Sequence, residues 1–170
     1  QGAGLSEHHS FMVAYEPGAD LGLDMHTDDS DVTFNLCLGK DFSGASLVFC
    51  GQMGTGTHRK LQYLYEHKKG RCVVHLGRQR HGADNIVEGK RRNLIIWNTN
   101  PGFRETRNYA EMRPPHYSGF SSEEAPPDKV CVSRTWDRDA VEVLGRDVVG
   151  DISASAWCPP AGKEFLRDAP

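Results

Sequence analysis

Val32-Thr33-Phe34-Asn35-Leu36-Cys37-Leu38 alternates without a break. In an extended chain that sets Val32, Phe34, Leu36 and Leu38 on one face and Thr33, Asn35 and Cys37 on the other. A second face turned wholly to water would carry charges, so small polar groups there suggest a lined pocket. Upstream, Phe11-Met12-Val13-Ala14-Tyr15 followed by Glu16-Pro17-Gly18 reads as a strand and a turn. Downstream, residues 39–44 are turn chemistry and Ala45 to Cys50 is strand-like. Residues 51–70 read as a long polar loop rich in Gly, Thr and Lys, before strand candidates Arg71–Leu76 and Asn93–Trp97. Short strands between Gly-rich turns, with no 3.6-residue pattern before residue 100, predict a mainly β fold, a barrel or jelly roll. After Trp97, Pro114-Pro115, Pro126-Pro127 and Pro159-Pro160 punctuate a weakly apolar tail. Within it Asp137 to Val149 has room for one short helix, with Gly145 against a long one. The expected organisation is a core over 1–100 and a partly irregular extension over 101–170.

The chain of 170 residues is 38% hydrophobic and 25% charged, with a net charge of −3, which fits one globular domain. No apolar run reaches the ~18 residues a membrane-spanning helix needs. The sequence starts Gln1-Gly2-Ala3-Gly4, which is not a signal peptide, and does not start with Met; an excised domain is expected, and its ends leave localisation open. Five cysteines show no C-x-x-C spacing and suit either a reduced compartment or a single bridge. Residues 1–51 net −7 and residues 52–92 net +7. The basic segment is a possible phosphate attractor, or a solvated loop face.

Metal chemistry is suggested by His26-Thr27-Asp28, just before the alternating strand. Residues i and i+2 of an extended segment project to one side, so an imidazole and a carboxylate can reach one ion. Taken alone, the same pair reads as a turn in which Asp caps backbone amides. His81, after the 71–76 strand, offers a second imidazole. Two histidines and one carboxylate form the facial triad of non-heme Fe(II) oxygenases, with positions left open for substrate and dioxygen. His75 reads as a satisfied core or rim residue. His8 and His9 read as exposed, and His58, His67 and His116 as loop residues.

The order His26-x-Asp28, the Thr/Asn-lined strand, Gly44-x-x-Leu47-x-Phe49, His81 and then Gly89-x-Arg91 resembles the prolyl/lysyl hydroxylase branch of the 2-oxoglutarate- and Fe(II)-dependent dioxygenases. Tyr15-x-Pro17-Gly18 is similar to that family's entry to the metal strand, and the resemblance covers residues 10–98. It implies a double-stranded β-helix, a jelly-roll or cupin-like barrel. It further implies that His26, Asp28 and His81 hold Fe(II) and that Arg91 pairs with the 5-carboxylate of 2-oxoglutarate. A planar guanidinium grips a carboxylate by two prongs, which Lys cannot copy. Arg92 is the rival anchor, one register step away. Tyr15, Thr33 and Asn35 would line the cosubstrate pocket. The implied reaction is hydroxylation of an unactivated C–H on a peptidyl prolyl, lysyl or related substrate, or a small molecule, with dioxygen consumed and succinate and CO2 released. Asp28 itself favours hydroxylation, since related halogenases carry a small residue there. Ascorbate is a family expectation. The alternatives are a nucleic-acid demethylase of the same superfamily, disfavoured by Trp97 where that branch has a second Arg, a metal-binding cupin, or an inactive β-barrel interaction domain.

Overall fold

The computed structural model describes residues 4–53, 55–111, 126–134 and 143–145. Its strands are β1 (Glu7–Tyr15), β2 (Leu23–His26), β3 (Val32–Cys37), β4 (Phe42–Gly44), β5 (Leu47–Gln52), β6 (Leu61–Tyr65), β7 (Cys72–Leu76), β8 (Gln79–Ala83), β9 (Ile86–Gly89) and β10 (Arg91–Thr99). Short helices α1 (Pro101–Arg104) and α2 (Arg107–Glu111) follow, and then a single 3-10 turn at Lys129–Cys131. The helix expected over 137–149 lies outside the described residues except for 143–145.

Every strand pairing is antiparallel. One four-stranded sheet runs β1-β10-β3-β7, another runs β2-β8-β5-β6, and β4 pairs with β9. The inner faces of the two larger sheets meet: Phe49 of β5 stands edge-on to His75 of β7 at 5.5 Å, and His75 lies 4.4 Å from the His81 ring of β8. The result is a mainly β, jelly-roll-like sandwich. Among the described residues the sheets stay separate rather than closing into a barrel.

The alternating strand faces as its polar residues suggested. Thr33, Asn35 and Cys37 are fully buried, whereas Val32, Phe34 and Leu36 are only partly covered. Arg91, Asn93 and Ile95 of β10 share that interior with Tyr15. Burying unpaired polar groups costs roughly 1–3 kcal/mol each, so an inner face of this kind must pair its groups or hold a ligand.

The 51–70 segment is less of a loop than its composition suggests. Thr55 and His58 close turns, and β6 pairs with β5 over Leu61–Tyr65. Two parts of the extension are tied to the core. Arg104 of α1 donates to Asp31 at 3.1 Å and Asp29 at 3.0 Å. Cys131 forms a disulfide with Cys50 across 81 residues. Its neighbour Ser133 donates to the Asp24 carboxylate, as does the backbone of Arg134.

Candidate metal centre and cosubstrate pocket

β2 and β8 are neighbours whose register sets His26 opposite His81. Asp28 lies in the loop after β2, its amide bonded to the carbonyl of Gly77 at 2.9 Å. Only glycine fits at 77, because a Cβ there would meet the Ser30 carbonyl oxygen at 1.8 Å. That close approach folds the 27–31 loop against the β7–β8 turn and brings the three side chains together. One ligand atom from each of His26, Asp28 and His81 lies within 4.8 Å of the others. Asp28 Oδ1 is 3.5 Å from His26 Nε2, and its Oδ2 is 3.7 Å from His81 Nε2.

Hydrogen bonds fix the state of each group. His26 Nδ1–H donates to the Asp24 carbonyl at 2.7 Å, and His81 Nδ1–H to the Gln79 carbonyl at 2.8 Å. Both rings therefore turn Nε2 inward, and the carbonyl contact is the usual outer support of a metal-ligating imidazole. Burial keeps the His81 ring neutral, pushing its pKa well below the usual value. Burial would push the Asp28 carboxyl up, but His26, His81 and the Thr33 hydroxyl outweigh it and hold it low, so it is ionised. Thr33 donates to Asp28 Oδ2 at 2.6 Å and is itself bonded to Ser30 at 2.7 Å. The neighbouring acids are spent elsewhere: Asp29 and Asp31 face Arg104, and Asp31 also takes the Asn100 amide at 2.7 Å. Two imidazoles and one carboxylate facing one point fit a divalent first-row ion and match the donor set of non-heme iron sites.

A second polar cluster fills the other end of the same interior. Arg91 is 0% exposed, while Arg92 points outward. Gly89, at φ +80°, makes the turn that starts β10 in this register. The Arg91 guanidinium donates from Nε to Asn93 Oδ1 at 3.1 Å, from NH2 to His67 Nδ1 at 2.9 Å, and from NH1 to the Ala45 carbonyl. It lies 5.5 Å from the Tyr15 ring, whose hydroxyl burial pushes up to about 12. His67 donates from Nε2 to the Arg71 carbonyl at 2.9 Å, and burial keeps that ring neutral. Asn93 donates to Asn35 at 2.6 Å. Among the described residues no carboxylate forms an ion pair with Arg91.

The structure thus brings His26, Asp28, His81 and Thr33 to one cluster and Arg91, Tyr15 and Asn35 to another. Sequence reading passed over His67, Asn93 and His75. Asn93 was legible, since it follows Arg91 by two on the same strand face. His67 stood in an apparent loop with no periodicity to mark it. His75 is no satisfied core residue, for its Nε2 is buried without a hydrogen-bond partner. Beside the metal cluster opens a cavity of about 610 Å³, lined by Phe49, Gln52, Tyr63, Val73, His75 and Gln79 among other uncharged residues.

A mainly antiparallel β sandwich enclosing a two-histidine, one-carboxylate cluster defines the class: a jelly-roll-like protein with an iron-type donor set. The curated proteins it resembles agree. The chain is 42% identical over 113 residues to the 2-oxoglutarate and iron-dependent oxygenase domain-containing protein ICU11 of Arabidopsis thaliana, a match covering 64% of this chain and 28% of that protein. It is 40% identical over 126 residues to the similarly described protein CP2 of the same plant, covering 71% and 30%. The human 2-oxoglutarate and iron-dependent oxygenase domain-containing protein 2 is 41% identical over 96 residues, covering 56% and 27%. The chain therefore spans under a third of the length of these relatives. No protein-family model matches it. A solved 2OG-Fe(II) oxygenase family oxidoreductase of Burkholderia pseudomallei overlays with a TM-score of 0.45 at 18% identity, covering 55% of this chain and 44% of that one.

Proposed function

We propose that this chain is the iron- and 2-oxoglutarate-binding core of an oxygenase that hydroxylates an unactivated C–H bond. In this reading His26, Asp28 and His81 hold Fe(II), and Arg91, backed by Tyr15, Asn35, Asn93 and His67, receives the 5-carboxylate of 2-oxoglutarate. The observation that carries it is a pair of opposite buried charges held apart in one interior. An ionised carboxylate stands among imidazoles at one end, and a guanidinium with no carboxylate partner among the described residues stands at the other. A buried charge is tolerated when paired, so the first cluster calls for a cation and the second for an anion. Thr33 serves the first and Asn35 the second, two residues apart on β3, or about 6.8 Å along the strand. A short dicarboxylate whose keto-acid end chelates the ion suits that span.

Bound iron would supply the activation of dioxygen, coupled to decarboxylation of 2-oxoglutarate to succinate and CO2. The protein orients His26 and His81 through backbone carbonyls, holds Asp28 ionised through His26, His81 and Thr33, and keeps water from Arg91. The uncharged cavity supports a prime substrate with a neutral group at its tip. Among the described residues its lining offers no carboxylate to a lysine ammonium, which favours a prolyl-type or other uncharged target on a peptide over a lysyl one. Nucleic acid is less well served. Arg59, Arg80 and Arg91 of the basic 52–92 segment are buried, and Lys60 and Lys90 pair with Asp128 and Glu16.

The test is anaerobic addition of Fe(II) and 2-oxoglutarate. The visible charge-transfer band of the chelate is expected in the wild type and absent in Asp28→Ala and His81→Ala. A band that survives either change removes that ligand. Succinate release measured with prolyl peptides, lysyl peptides and oligonucleotides then separates the substrate classes.

A further inference from the structure

Resting on the iron reading above, we propose that His75 is a fourth donor to the same ion, filling one of the positions that His26, Asp28 and His81 leave vacant while no substrate is bound. His75 reaches the site from β7, on the sheet opposite His26 and His81. Its side chain is 6% exposed, its Nε2 lies 3.8 Å from Asp28 Oδ2, and its ring centroid is 4.4 Å from that of His81. Its Nδ1–H donates to the Leu76 carbonyl at 3.0 Å. It therefore repeats the arrangement of His26 and His81, with one nitrogen spent on a backbone carbonyl and the other turned toward Asp28.

That inward Nε2 has no hydrogen-bond partner and is sealed from solvent. A buried acceptor facing an ionised carboxylate is unfavourable twice over, by lost hydration and by repulsion. A cation between them relieves both. The trio within mutual ligand distance does not include His75, so a small swing of the ring completes the contact. The same ring forms part of the wall of the uncharged cavity, so a group entering there would press on it. His75 thus links occupancy of the cavity to the number of open metal positions.

The experiment uses cobalt(II) as the probe on the full chain, read by titration and by the visible ligand-field spectrum. His75→Phe keeps the ring packed on Phe49 and His81 but removes the nitrogen, and His75→Ala opens the space. Both variants are expected to bind Co(II) at least about tenfold more weakly, the loss that even an outer partner of a metal ligand causes, with an altered spectrum. Added imidazole should return the His75→Ala spectrum toward that of the wild type, which a merely structural role does not predict. Circular dichroism melts of the metal-free variants establish that they fold. Wild-type affinity and spectrum in both variants would overturn the fourth donor while leaving the iron reading intact. A wild type that takes up no Co(II) sinks both.

Discussion

The two ends of the sandwich interior are built alike and charged oppositely. Around Asp28, imidazoles and a hydroxyl surround one negative charge. Around Arg91, a neutral imidazole, a phenol and two carboxamides surround one positive charge. A domain with only structural needs would have placed the two together as an ion pair, or replaced both with apolar residues, which is often neutral or stabilising. On the proposed function, holding them apart makes each a site for the charge it lacks, and a ligand with a metal-chelating head and a carboxylate tail would answer both at once.

Removing the negative end should have the largest effect. Asp28→Ala takes away the only carboxylate of the trio, and Co(II) or Fe(II) affinity is expected to fall below detection by titration. Measurable binding at wild-type strength would break the comparison at its first term. At the positive end, Arg91→Ala should weaken 2-oxoglutarate binding to the iron-loaded protein by about 2–5 kcal/mol, the usual result of truncating one partner of a buried charge pair. Iron affinity should stay within a fewfold, and Arg92→Ala should leave both constants unchanged. If Arg92→Ala carries the loss instead, the register of β10 is wrong.

How much of this was readable beforehand differs between the two ends. The negative end was legible as a set of spacings, since His26-x-Asp28 needs only an extended segment and His81 follows a recognisable strand. Its support was not. The glycine at 77 matters through a Ser30 carbonyl 47 residues earlier in the chain, and no local pattern reports that approach. The strands β2, β4, β8 and β9 are three to five residues long, too short for an alternation to declare itself. At the positive end Arg91 was legible, but His67 was hidden in a segment whose Gly, Thr and Lys content masks β6. Cysteine spacing left the Cys50–Cys131 bridge equally hidden, because pairing across 81 residues is a property of the fold.

That bridge sharpens the contrast, for it belongs to one end alone. Cys131 anchors the segment whose Ser133 and Arg134 hold Asp24, and the Asp24 carbonyl orients His26. Replacing both cysteines by serine should lower stability by about 2–4 kcal/mol, read as a drop in Tm. It should also weaken Co(II) binding by about tenfold, as loss of an outer partner does, and leave the spectrum of the Arg91 environment, followed by Tyr15 absorbance, unchanged. Equal disturbance of both ends would show the bridge to be a general staple.

The smallest expected effect is a pH dependence, and its sign follows from the neutral histidines. His81 has a folded pKa of about 3 against an ordinary 6.5. His67 and His75 are also lowered, chiefly by burial. A group depressed in the folded state takes up its proton more readily when the chain is unfolded. Stability is therefore full above pH 6.5 and declines as pH falls toward the folded value. For His81 the loss is about 2 kcal/mol at pH 5. Asp28, at about 2 against 3.8, adds to the decline only below about pH 4. Melts of the metal-free protein between pH 7.5 and 5 should thus show a falling Tm. Saturating Co(II) should raise Tm at both ends of that range, because His81 and Asp28 stay deprotonated in the fold down to pH 5. His81→Phe, which removes the buried imidazole, should make the metal-free profile shallower, leaving the part due to His67 and His75, and abolish the cobalt increment. A flat wild-type profile would mean that these rings take up protons as readily in the fold as in the unfolded chain, and with that the contrast between the two ends would fail.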